Sequence, residues 1–123
     1  MQLVEINSKD VERVFPSFYH KDTEFFVVNH DGEEVALYGI KTIDEKTCEI
    51  SLHVFDQYRY KVPYKTGLKL LLSFPFTIGF AKILISSKEK SIITLLRQCK
   101  SLGVKFLQYW RNMAWFEVTR KNI

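Results

Sequence analysis

The second half of the chain alternates between two kinds of periodicity, and few folds accept that order. A strand pattern over Thr47 to Phe55 runs through a basic turn into an apolar helix opening near Thr66 and Gly67. A short strand follows over Lys82 to Ser87, then an amphipathic helix ending at Ser101-Leu102-Gly103, then two strands over Val104 to Tyr109 and Met113 to Thr119. Strand, helix, strand, helix, strand is the order of a partly parallel sheet with crossover helices, and such sheets hold their ligands at the carboxyl ends of strands. A small-molecule site is therefore expected between Asp56 and Lys69.

The first half supplies antiparallel partners for that sheet. A first strand is expected over Gln2 to Ile6, and Asn7 or Ser8 then caps a short helix in which Val11, Val14, Phe15 and Phe18 recur at helical spacing. Glu24 to Asn29 and Glu33 to Lys41 read as a hairpin, because the Asp31-Gly32 pair between them supplies the positive backbone angles of a tight turn. In the long strand, Cys48, Ile50, Leu52 and Val54 face one way and Glu49, Ser51, His53 and Phe55 the other. The first set reads as core, the second as a mixed polar and aromatic stripe lining a cleft. Thr66 is expected to cap the following helix, and Pro75, which has no backbone N–H, is expected to kink or end it.

Composition sets the scale and excludes several classes. A chain of 123 residues that is 46% hydrophobic can bury one core, so a single domain over 1–123 is expected. The net charge of +4 is modest and most basic residues are mixed with acids. Arg59, Lys61, Lys65 and Lys69 are the exception, a cluster that faces an anion or forms a solvated loop. Cys48 and Cys99 have no cysteine or histidine neighbours at metal-ligand spacing, so no metal site is expected and reduced thiols in a cytoplasm are the plain reading. The stretch from Leu68 to Ala81 is broken by Lys69, Ser73 and Pro75 and is too short to span a bilayer, and no secretory signal is read at Met1 to Glu5.

The order of elements resembles the GNAT (GCN5-related N-acetyltransferase) fold, an α/β architecture with a mixed central sheet and flanking helices. The strongest local likeness is Lys82 to Phe106, where a buried strand, Ser87, an amphipathic helix and Leu102-Gly103-Val104 resemble the family's fifth strand and fourth helix. One helix stands between the first strand and the hairpin, where the family usually has two. The family's coenzyme A signature is an Arg or Gln, two residues, Gly, one residue, then Gly or Ala. Here it meets Tyr64-Lys65-Thr66-Gly67-Leu68-Lys69, in which Gly67 is kept, Tyr64 replaces the Arg or Gln and Lys69 replaces the small residue.

The resemblance implies that acetyl-CoA, if bound, lies with its pyrophosphate at Lys65, Thr66, Gly67 and Lys69 and its pantetheine arm along Leu52, Val54 and Phe55. Because two marker positions are lost, side-chain charge must replace backbone donors and binding is expected to be weak and electrostatic, or absent. The family's general base on the long strand corresponds to Glu49 or His53, and its proton donor, four residues before the helix-ending Gly, corresponds to Cys99. Each has a plainer reading: Glu49 and His53 as polar groups on an open sheet face, and Cys99 as core, since it shares a stripe with Leu95, Leu96 and Leu102.

Three functions follow from these residues. A GNAT-fold module with a degenerate site acts by binding a protein partner; small members of this kind occur among tailed phages, where some act in head assembly inside the bacterial host. An acyl-CoA-dependent N-acetyltransferase acts on an amine acceptor. Nucleic acid is the least favoured partner: Tyr58, Tyr60 and Tyr64 interleave with Arg59, Lys61 and Lys65 as a stacking loop would, but one loop on a chain of net charge +4 is a weak electrostatic footprint. Tyr109, Trp110, Trp115 and Phe116, grouped at the closing hairpin, read as core or as a protein interface.

Overall fold

In a computed structural model of the protein the described residues are 1–58 and 64–119, with Tyr64, Lys65 and Ser91 described by backbone alone. In chain order they form β1 (Gln2–Ile6), α1 (Ser8–Val14), β2 (Thr23–His30), β3 (Glu33–Thr42), β4 (Thr47–Val54), α2 (Tyr64–Thr77), β5 (Lys82–Ser87), α3 (Lys90–Gln98), β6 (Val104–Trp110) and β7 (Met113–Thr119). Single 3-10 turns lie at Asp56–Tyr58 and Lys100–Leu102.

All seven strands join one sheet in the order β1-β2-β3-β4-β5-β7-β6. Neighbours are antiparallel except β4 and β5, the pair joined through α2, as a parallel step requires a crossover where a tight turn cannot reach. The β2–β3 turn has Asp31 at φ 52° and Gly32 at φ 80°, and the β6–β7 turn has Arg111 and Asn112 at φ 52° and 62°. Both are paired positive angles of the kind that match the twist of the strands they join.

Alternation along each strand divides the sheet into two faces. One carries Phe26, Ala36, Tyr38, Ile50, Ile83 and Phe116 and packs under α2, through Leu72 and Phe76, and α3, through Leu96. The opposite face carries buried Phe25, Val27 and Leu37, and α1, whose Val11 is buried, packs against β2. Phe18 and Tyr19, beyond the end of α1, set their rings against Phe25.

Four local expectations meet a different outcome. Asn7 caps α1, its side chain accepting from the Lys9 amide, but the helix stops at Val14 and Phe15 and Phe18 lie in the turns that follow. Thr66 is not the cap of α2, which already begins at Tyr64. Of the two outcomes expected at Pro75, a kink or an end, the end does not occur, since α2 continues to Thr77. The carbonyl of Leu71, whose helical donor would be the missing amide of Pro75, accepts instead from the Tyr38 hydroxyl at 2.7 Å. The last helix ends early, at Gln98, and tightens into a 3-10 turn before Gly103, which is left-handed at φ 81°.

Candidate active-site cleft between the parted strands

β4 and β5 pair only from Thr47–Lys82 to Ile50–Ile85. Beyond that point β4 continues through Val54 on the β3 side alone, and Ser86 and Ser87 of β5 pair only with β7. The two parallel strands therefore part, and among the described residues the edge of β4 that faces β5 has no sheet partner from Ser51 onward. Backbone donors and acceptors in such an edge require water or a ligand.

The gap opens onto a cavity of about 80 Å³ on the α2–α3 face. Ile50, Leu52 and Val54 of β4, Ile85 of β5, Leu71 of α2 and Leu95 of α3 are among its walls. Leu52 is 38% exposed although it lies on the core side of the strand, because the cover that β5 would give is missing there. The first turns of α2 border the same cavity through Gly67 and Leu68.

Gly67 is buried, and a Cβ placed on it would stand 3.2 Å from both Sδ and Cε of Met1. The bare Cα thus receives the Met1 side chain. Thr66 and Lys69 are exposed on the same helix, while Lys65 is fixed in backbone only. Arg59 and Lys61 lie outside the described residues, so the basic and aromatic loop expected as an anion or nucleic-acid site is represented only by its flanks.

The opposite face of β4 carries Glu49, Ser51 and His53, all half-buried. The His53 ring lies among Phe15, Phe18 and Phe55, at centroid distances of 6.0, 6.0 and 5.8 Å. Glu49 stands opposite Lys41 on β3 and beside Leu84 on β5. Four residues of strand separate Glu49 and His53 by about 13 Å, so they do not act on one proton together. Phe55 points to this face, stacking on Phe15, and only its backbone is tied to β3, its N–H donating to the Val35 carbonyl. Gly39, across from Ser51, has no side chain to spare: an added Cβ would come 2.7 Å from the Ser51 hydroxyl.

Cys99 sits at the C-cap of α3, 5% exposed and packed in the main core. Cys48, on the core face of β4, is fully buried, and burial pushes its thiol up to about 12. Among the described residues no group of three or more His, Cys, Asp or Glu side chains could hold a metal ion, and no helix is long and apolar enough to cross a membrane. On the face that carries Glu49, the indole N–H of Trp115 is buried beside Ser86 with no hydrogen-bond partner among the described residues.

Two contributors to this site escape sequence reasoning. Met1 becomes part of the cavity only because β1 and α2 meet in space, and Tyr38 holds α2 in place from a strand 33 residues away. The parting of β4 and β5 leaves one faint sequence signal, the polar Ser86-Ser87 that follows the apolar run of β5.

The fold is shared with solved acetyltransferases. A spermidine N-acetyltransferase chimera from Vibrio cholerae superposes with a TM-score of 0.73 at 12% identity, covering 98% of this chain and 97% of its own. The N-acetyltransferase of Campylobacter jejuni in complex with acetyl coenzyme A gives 0.68 at 13% identity, covering 97% and 98%. A GNAT-family acetyltransferase from Elizabethkingia anophelis with acetyl-CoA bound gives 0.70 at 14% identity, covering 97% of each chain. No family model and no curated protein sequence matches the chain. At these identities the likeness shows the fold, a GNAT-type mixed sheet with flanking helices.

Proposed function

We propose that this GNAT-fold chain binds an acyl-CoA thioester in the gap between β4 and β5 and transfers the acyl group to an amine. The observation that carries the proposal is the β4 edge at Ser51 to Val54, which no described strand pairs on the β5 side, lying directly over an apolar cavity and bordered by the first turns of α2. An extended arm with amide groups is the kind of ligand that completes a strand edge, since its N–H and C=O groups pair with the backbone as a further strand would. The neighbours solved with acetyl-CoA add support through their shared fold.

The roles follow from position. The backbone of Leu52, His53 and Val54 holds the arm, and Lys69 with the first turn of α2 receives the phosphates. That contact is exposed and electrostatic, because Lys69 stands where close backbone approach would otherwise occur. The amine comes from the opposite face of the sheet, where Glu49, on that face of β4, takes its proton. A bond forms between the amine nitrogen and the acyl carbonyl carbon, the carbon–sulfur bond breaks, and the thiolate leaves and is protonated by water. Cys99, packed in the core, keeps a structural role.

A protein-binding role is a second reading, favoured by one observation: edge strand β6 exposes Phe106, Leu107, Tyr109 and Trp110 in succession apart from Gln108, the last two at 61% and 52%. Such a surface is unusual for a lone sheet edge.

The transferase reading is tested by mixing the protein with acyl-CoA and a panel of primary amines and following thiol release. Amine-dependent release is expected, and Glu49→Gln should lower it about 100-fold or more with the fold intact. Thiol release that no amine accelerates would contradict it.

A further inference from the structure

We infer that the acyl donor carries a chain longer than acetyl and that the cavity beneath the β4–β5 gap is the compartment for that chain. The inference rests on the acyl-transfer reading and adds the donor class to it. The walls of the cavity are almost wholly carbon, and the hydroxyl among its lining residues, that of Tyr38, is already spent on the Leu71 carbonyl at 2.7 Å. An amide pushed into this space would leave its N–H and C=O unpaired, which is strongly unfavourable. The amides of a pantetheine arm are therefore confined to the β4 edge, and what continues past them into the cavity is hydrocarbon.

Size and shape say how much hydrocarbon. The cavity runs from the gap at Leu52 and Val54 back beneath β3 and β2, where the small side chain of Ala36 leaves the space that a larger residue would fill. Its volume of about 80 Å³ is roughly half that of an apolar cavity known to take up benzene. That gives room for about three carbons beyond the thioester carbonyl. A lone acetyl methyl leaves most of the walls without partner atoms, and such voids forfeit dispersion contacts. Met1, seated against Gly67 at one side of the cavity, is an unbranched and compliant wall that can shift to fit chain length.

The test is a calorimetric series with coenzyme A and its acetyl, propionyl, butyryl and hexanoyl thioesters on the full chain. Each added methylene should tighten binding about three- to fourfold up to butyryl, roughly tenfold or more over acetyl, with no further gain at hexanoyl. Ala36→Leu should erase that gain while leaving coenzyme A affinity unchanged. Because added bulk in a core can disturb folding, Leu95→Ala serves as the opposite variant and should move the optimum toward hexanoyl. Equal affinity for acetyl and butyryl thioesters in a protein that binds coenzyme A would overturn the chain compartment and leave acyl transfer standing. Failure of every thioester and of coenzyme A to bind would overturn both.

Discussion

The hydroxyl of Tyr38 donates a 2.7 Å hydrogen bond to the carbonyl of Leu71, four residues before Pro75 on α2. The proline removes the helical donor for that carbonyl, and a strand residue on the far side of the core replaces it. Both partners are buried, so removing the donor leaves a carbonyl with no water to turn to. Tyr38→Phe should lower stability in urea denaturation by about 1–3 kcal/mol. In a Pro75→Ala background, where the helical N–H is restored, the same change should cost clearly less. Equal costs in the two backgrounds would mean that the hydroxyl does not serve this carbonyl.

Burial sets the alkaline limit of the fold. The Cys48 thiol is pushed up to about 12 from an ordinary 9.0, and burial, with Cys48 nearby, also raises the Tyr38 phenol well above its ordinary 10.0. A raised value means that the folded state prefers the neutral form, so the stabilisation is complete below pH 9 and is lost as pH rises toward 12. Stability should hold level to about pH 9 and then fall. Cys48→Val should remove the part of that fall that begins near pH 9 and leave the part from Tyr38, as read by denaturant midpoints across pH. In the native protein at neutral pH both Cys48 and Cys99 should resist a thiol reagent, because both are buried in the core. Rapid labelling of Cys99 without unfolding would reopen its candidacy as a proton donor.

Features of the fold written in short-range chemistry were legible in the sequence. Asp31-Gly32 announced its turn through the backbone angles glycine permits, β4 announced its two faces through strict alternation, and Gly103 marked the end of the last helical turn. The element order led to the GNAT-type sheet. What the residues did not reveal depends on partners distant in the chain. Pro75 read as a place where the helix kinks or ends, because nothing local shows that Tyr38 serves the Leu71 carbonyl the proline leaves without a donor. Gly67 looked like the remnant of a phosphate motif, yet its bare face meets Met1. Alternation alone made Leu52 and Val54 core positions and only the family resemblance set them along a pantetheine arm; that they wall a cavity depends on the parting of β4 from β5.

Coenzyme A affinity should depend on salt. Lys69 is exposed at the start of α2 and stands where the family pattern has a small residue, so any phosphate contact there is made by a solvated ammonium group. Such pairs are screened once the Debye length falls below the separation of the charges. Lys69→Ala should weaken binding about two- to fivefold at low salt and much less at high salt, measured by calorimetry. Tight binding indifferent to salt would place the phosphates on backbone donors instead.

The central claim is that the unpaired edge of β4 is where the thioester lies, and amide NMR of the labelled protein during a coenzyme A titration reads that edge residue by residue. The account predicts saturable shifts concentrated at Leu52, His53, Val54, Gly67 and Leu68, with the β6 amides of Phe106 to Trp110 unmoved. Shifts confined to β6, or none at the β4 edge at saturating ligand, would contradict it.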